Sequence, residues 1–230
     1  MARFAQRCAV LLALAMLSSS VPAAPSGDAT VINGCRIRPG TVCVEWALRS
    51  AKLAGTDLSH ANLLQTDLRG ADLRDARFIS ANMTRVRLHR ADLRGAIFNE
   101  AELERARLDH ARLGGAQFRN ARMRGARLSD ADAKGADFSG ADLWGTTLRN
   151  AILDNADLTR ANLTGADLRG TSLRGANLRG ARLENANLRG ADLTGAVIDN
   201  TTLIRGARVQ GCIGCRAAFG GASSSDAPVR

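Results

Sequence analysis

The chain has 230 residues, 45% of them apolar but only 3% aromatic, and it carries a formal net charge of +10. That length fits one or two domains, and the scarcity of aromatics, with no Tyr at all, excludes the base-stacking platforms of single-strand nucleic-acid binders. The excess of base is almost all arginine, with Lys52 and Lys134 the only lysines, which points to anionic partners.

Residues 1–23 read as a secretory signal peptide. Arg3 and Arg7 give a positive start, Cys8 to Leu17 form an unbroken apolar core, and Val21 and Ala23 suit a cut before Ala24. That core is too short to span a bilayer, which needs about 20 apolar residues, and no later segment could cross one. The chain is therefore expected to be periplasmic or secreted. Residues 24–34 read as a flexible leader. Residues 35–52 form an N-terminal cap: Pro39-Gly40 makes a turn, the stretch from Val44 to Lys52 is a single helical turn or an irregular first coil, and Trp46 covers the open end of the apolar stack beyond it.

From residue 53 a five-residue unit takes over. Large apolar centres recur at Leu53, Leu58, Leu63, Leu68, Leu73, Phe78, Met83 and onward to Ile198 and Leu203, with Ala133 the exception. Two residues before each centre stands a small residue, nearly always Ala. A period of five fits neither helix nor simple strand alternation. The inward pair alternates like a strand, and the Gly or Asn before the next Ala turns a corner. The result is a solenoid, a single domain whose stability is close to a sum of neighbour terms and whose ends need caps.

Units such as Ala161-Asn162-Leu163-Thr164-Gly165 resemble the pentapeptide-repeat family, and the likeness covers about two-thirds of the chain. It implies an all-β fold, a right-handed quadrilateral parallel β-helix with four pentapeptides per coil. The spacing of the aromatics agrees: Phe78, Phe98, Phe118 and Phe138 stand at every fourth centre and would stack in one column. Coils about 4.8 Å apart give a rod roughly 36 Å long over the repeat. The segment from Cys35 to Cys43 resembles the cap that precedes the first coil in exported members. After Leu203 the register slips by one, leaving Ala207, Cys212 and Ala217 as small positions and Val209, Gly214 and Phe219 as centres of a last degraded coil over residues 206–219. The Gly/Ser-rich tail, 220–230, is expected to be disordered.

Without Cys8, four cysteines remain. A disulfide needs Cα atoms within about 7 Å, and the cysteines flank opposite ends of the rod, so Cys35–Cys43 and Cys212–Cys215 are the expected bonds. The same separation excludes a four-cysteine zinc site in a monomer. No cofactor or metal is expected, and no catalytic constellation is found. His60, His89 and His110 all face outward; with four units to a coil, Asp109 lies beside His89, an arrangement read as a solvated His–Asp pair.

Charge is the one functional lead. Sorted by every fourth unit, the face centred on Leu68, Leu88, Leu108, Leu128, Leu148, Leu168 and Leu188 carries Arg69, Arg87, Arg90, Arg107, Arg127, Arg149, Arg169 and Arg189. Four aspartates oppose these eight, Asp67, Asp109, Asp130 and Asp167, a net of +4. Arg87, Arg107 and Arg127 should form one ladder, and Arg149, Arg169 and Arg189 another. Two readings stand: a comb of guanidiniums for phosphate or carboxylate groups, or a solvated face that serves solubility. Trp144 lies one coil above Arg124, placed either for a cation–π stack or as a partner anchor.

Some cytosolic relatives mimic DNA and bind DNA gyrase, conferring quinolone resistance; that role needs an acidic rod in the cytosol. The expected function is instead a non-enzymatic exported scaffold that binds anionic envelope material or an acidic protein. The alternative is an intracellular binder of a topoisomerase or nucleic acid. An end-to-end homodimer through an imperfect cap is a further expectation.

Overall fold

The computed structural model describes residues 31, 32 and 34–219. The expected signal peptide with its cut at Ala23/Ala24, residues 24–30 of the leader and the tail from residue 220 lie outside the described residues.

Each five-residue unit forms one short bridge and one tight turn. In the unit centred on Leu58, the Ala61 N–H donates to the Leu58 carbonyl (3.1 Å) and closes a turn in which His60 has φ 59°. The same positive φ recurs two residues after centre upon centre, at Gly55, Gln65, Gly70, Asp75 and beyond. A β-turn with positive φ at its third residue favours Gly or Asn there, which explains why those residues precede the small position so often. At Gly165, φ is +67° and an added Cβ would meet nothing within 4 Å. Gly165→Ala therefore isolates the backbone cost of a left-handed corner. It is expected to lose about 1 kcal/mol in a urea melt; unchanged stability would mean that the corner carries no strain.

Between corners only one residue per unit can bridge to the next turn of the solenoid. The ladder is therefore made of isolated parallel bridges rather than long strands. From Val42 with Asn62 through Asn177 with Val197, every pairing joins residues 20 apart. Among the described residues the only extended pairing is a two-residue antiparallel one, β1 (Val31–Ile32) with β2 (Cys35–Arg36).

The inward pair of each unit builds a continuous core. Leu53 through Leu193 are buried at every centre, Ala133 included, and the small positions between them are almost all sealed. Where Thr replaces Ala, its buried hydroxyl finds a main-chain acceptor: Thr66 on the Cys43 carbonyl and Thr171 on that of Leu148. The four phenylalanines stack with centroids 4.8 Å apart at each step and planes within 7°, as their regular spacing predicts.

The ends differ from expectation in four ways. The helical turn considered for the stretch from Val44 to Lys52 is absent: Cys43 and Leu48 occupy buried centre positions, and Ala47 and Lys52 bridge Asp67 and Asp72. The regular solenoid thus starts two units before Leu53. The leader, read as flexible, contributes Val31–Ile32 to β1, and Trp46 packs partly buried against the core beneath Gly34, where a Cβ would lie 2.7 Å from its ring. At the other end the register slips before Leu203, not after it. Leu203 bridges Arg182, one residue more than the regular interval, and points outward at 45% exposure, while Ile204 packs against the core. The chain then closes with α1 (Cys215–Ala218) in place of a further unit, so Ala217 is helical; Phe219 follows it, partly buried on the core. Both expected disulfides are present, with Cα–Cα distances of 5.9 Å for Cys35–Cys43 and 5.8 Å for Cys212–Cys215.

Candidate anion-binding face

The parallel bridges place Arg87, Arg107 and Arg127 on consecutive rungs of one column, with Asp67 one rung before Arg87 and Thr147 one after Arg127. A second column, one residue beyond the centres, runs through Arg49, Arg69, His89, Asp109, Ser129, Arg149, Arg169 and Arg189, as successive main-chain bonds show. Both columns are set by the same turn geometry, so their side chains leave a stiff frame at fixed spacing. The geometry of the comb is fixed by the repeat; what varies is how each guanidinium is neutralised.

Two carboxylates organise the first ladder. Asp67, only 6% exposed, accepts a bidentate pair from Arg69 (2.8 and 2.7 Å) and a further bond from Arg49 at 2.7 Å. Arg87 reaches the same carboxylate only at 4.0 Å. The Arg69 hydrogen bonds, reinforced by Arg49 and opposed by burial, hold the Asp67 carboxyl well below the usual carboxylate range. Asp109 is shared in the same way, with Arg127 at 3.3 Å and Arg107 at 3.9 Å, and its Oδ2 lacks a hydrogen-bond partner. Five guanidiniums, those of Arg49, Arg69, Arg87, Arg107 and Arg127, thus surround two carboxylates. The guanidinium ends of these pairs are exposed to solvent, which screens their attraction, and like charges on adjacent rungs repel.

The second ladder is better compensated. Asp167 takes Arg149 at 2.6 Å and a bidentate pair from Arg169, and Arg189 donates to Gln210 at 2.8 Å. Arg90 sits at a corner, φ 58°, and makes no ion pair among the described residues. The eight predicted arginines therefore share one face, but only Arg87, Arg107 and Arg127 combine adjacency with loose pairing.

Arg69, Arg87, His89 and Arg107 line a surface cavity of about 210 Å³. Nothing in the five-residue pattern marks His89 as lining a cavity. The expected pair of His89 with Asp109 does not form, because Asp109 turns inward to the arginines on either side of it. His89 instead meets His110 edge-on, centroids 5.1 Å apart, and His110 lies 3.9 Å from Asp130. Burial, with His110 and Arg90 adding to it, lowers the His89 pKa and favours its neutral form. Arg49 also joins the face unexpectedly, although its place one coil before Arg69 held the signal.

Trp144 stands apart from this face. The cation–π stack with Arg124 is not formed: the Arg124 guanidinium is bonded to Asp142, and Trp144 remains 54% exposed in the column of Arg124 and Thr164. Among the described residues no group of three or more His, Cys, Asp or Glu side chains is disposed to hold a metal, and no helix is long and apolar enough to cross a membrane.

Comparison with known proteins places the architecture. A family profile described as pentapeptide repeats (8 copies) matches residues 51–90, 87–125, 126–165, 161–200 and 171–213. Among solved structures, QnrB1, a plasmid-mediated fluoroquinolone resistance protein, is similar in a trypsin-treated form at 22% identity. That match covers 74% of this chain and 89% of that one, with a TM-score of 0.62; full-length QnrB1 gives 22%, 74%, 90% and 0.59. HetL from the cyanobacterium Nostoc sp. strain PCC 7120, a pentapeptide repeat protein involved in heterocyst differentiation regulation, is 35% identical. That match covers 74% of this chain and 88% of HetL, with a TM-score of 0.35. A comparison with curated proteins gives no match. The matched segments run without a gap from residue 51 to residue 213, and the described solenoid follows the same five-residue rule. The chain belongs to the pentapeptide-repeat family and folds as a right-handed β-helix solenoid.

Proposed function

We propose that this protein is a non-enzymatic, four-sided scaffold with four pentapeptides per coil, exported after removal of residues 1–23, whose Arg-rich face binds an anionic partner. The partner is anionic envelope material or an acidic protein. One observation carries the reading: Arg87, Arg107 and Arg127 occupy consecutive rungs with only two carboxylates beside them, Asp67 held by Arg49 and Arg69 and Asp109 divided between Arg107 and Arg127. Such a row lowers its own repulsion by taking up anions, and the rigid frame sets their spacing.

Poly-glutamate, a plain acidic chain, serves as the probe. The triple variant Arg87→Gln/Arg107→Gln/Arg127→Gln is expected to bind it at least tenfold more weakly and with a shallower dependence on salt, since screening acts on the charges removed. Equal binding by the two proteins would reduce the comb to ordinary surface. Export is checked by N-terminal sequencing of the natively expressed protein, with a start near Ala24 expected. An intact Met1 in the cytosol would turn the reading to an intracellular topoisomerase or nucleic-acid binder, to which the fold shared with a fluoroquinolone resistance protein lends its only support.

A further inference from the structure

Within the Arg-rich face, one place differs from a general comb. Three arginines from successive rungs, Arg69, Arg87 and Arg107, close around a single cavity with His89 in its wall. Arg69 is fixed by its fork on Asp67, whereas Arg87 and Arg107 keep only contacts of 4.0 and 3.9 Å to carboxylates. Two guanidiniums thus have donors to offer, and the third adds charge from a locked position. Two other aspects of the site bear on what it would hold.

The first is the shape of the donor set. A planar carboxylate has two oxygens and is satisfied by one guanidinium fork. Donors that approach from two columns and three rungs instead match a tetrahedral oxyanion, whose oxygens point in different directions. The second is size. About 210 Å³ accommodates a phosphoryl group and some of what it is attached to, yet falls below the several hundred Å³ of sites that enclose a drug-sized ligand.

From this geometry we infer that Arg69, Arg87, His89 and Arg107 form a discrete phosphate site that takes inorganic phosphate or a terminal phosphomonoester, the rest of the bearer lying outside. The inference deepens the anionic-partner reading and rests on it. Arg87 and Arg107 hold the oxygens, and neutral His89 offers one N–H without adding to the repulsion. Asp67 and Asp109 position the arginines from either side and do not reach the ligand.

Calorimetry on the purified chain in low salt at neutral pH tests this, with inorganic phosphate, glycerol phosphate and acetate as probes. Saturable binding of one phosphate per chain is expected, with acetate at least tenfold weaker. Arg87→Gln should weaken phosphate at least tenfold and His89→Gln severalfold, whereas Arg179→Gln, which removes the same charge elsewhere, should leave it unchanged. Tighter binding of glycerol phosphate would identify the ester as the preferred bearer, and weaker binding the free ion; equal binding is expected if the site reads the phosphoryl group alone. Arg87 is an exposed side chain, so its variant should fold; circular dichroism checks this, and Arg87→Lys, which keeps charge but not the fork, should fall in between. No saturable phosphate uptake, acetate binding as well as phosphate, or equal loss in Arg179→Gln would overturn the site. If poly-glutamate binding still depends on the three-arginine ladder in that case, the face survives and only the phosphate site falls.

Discussion

Replacing Phe98 with alanine is expected to cost about 3–5 kcal/mol. Phe98 is fully buried and lies between Phe78 and Phe118, 4.8 Å from each, with planes 7° and 2° apart. Truncation leaves a hole that the neighbours cannot close, because the main-chain bonds of the turns above and below hold them at a fixed spacing. Part of the loss belongs to the ring pairs, about 0.5–1.5 kcal/mol each. The double variant Phe98→Ala/Phe118→Ala should therefore cost less than the sum of the two singles, since each single already breaks their shared contact. Phe98→Leu should cost well under half as much, because Leu58 and Leu158 fill the same column at 1% exposure or less. Urea melts followed by circular dichroism give these values. A loss below about 1 kcal/mol for the alanine variant, under the usual range for a buried ring, would show that the turns can collapse onto one another.

Much of this column could be read from the sequence, and for a physical reason. Each five-residue unit carries its own corner, its own small residue and its own inward side chain, so the fold is written locally and repeatedly. The slip near the end shows where that legibility fails. Leu203 and Ile204 are adjacent and both large and apolar, as Thr201 and Thr202 are both small, so two registers satisfy the local pattern equally. Hydrogen bonding separates them. Thr66 and Thr171 each reach a carbonyl 23 residues back, at Cys43 and Leu148, while Thr202 reaches Leu178, 24 residues back. The extra residue therefore lies between Ile198 and Thr202, and the downstream spacing of Ala207 and Val209 fits Ile204 alone.

The candidate site was legible in part only. Which arginines share a face follows from bridges that join residues 20 apart, but which of them are neutralised does not. That depends on side-chain rotamers, which the repeat leaves free. Asp67 gathers Arg49 and Arg69 and barely reaches Arg87; Arg124 turns to Asp142 and leaves Trp144 bare. Asp109 could have faced His89 or its neighbouring arginines, and burial beside two guanidiniums decided for the arginines. The cavity exists because of these choices, so the periodicity could point to the face but not to the pocket within it.

The second large effect concerns the N-terminal end. Cys35–Cys43 ties β2 to the first buried centre of the solenoid, and Thr41 supports the same link through its hydroxyl on the Arg36 carbonyl. Closing a loop with a sequence separation of 8 restricts the unfolded chain by about 2–3 kcal/mol on the loop-entropy account. Cys35→Ser/Cys43→Ser should lose about that much, and the loss should be local. In a rod stabilised by nearest-neighbour contacts, a weakened end frays before the middle opens. Hydrogen exchange should accelerate at the main-chain bonds that join residues 43–48 to residues 62–67, and stay unchanged around Phe118. Trp46, partly buried under Gly34, gives a second readout, since its fluorescence should shift towards that of a solvated indole. A uniform loss along the rod would mean that the whole solenoid melts as one unit; no loss at all would mean that β1, β2 and Trp46 hold the end without the bond. Because such bonds persist outside the reducing cytosol, a cap that needs its disulfide would lend support to the export proposed above.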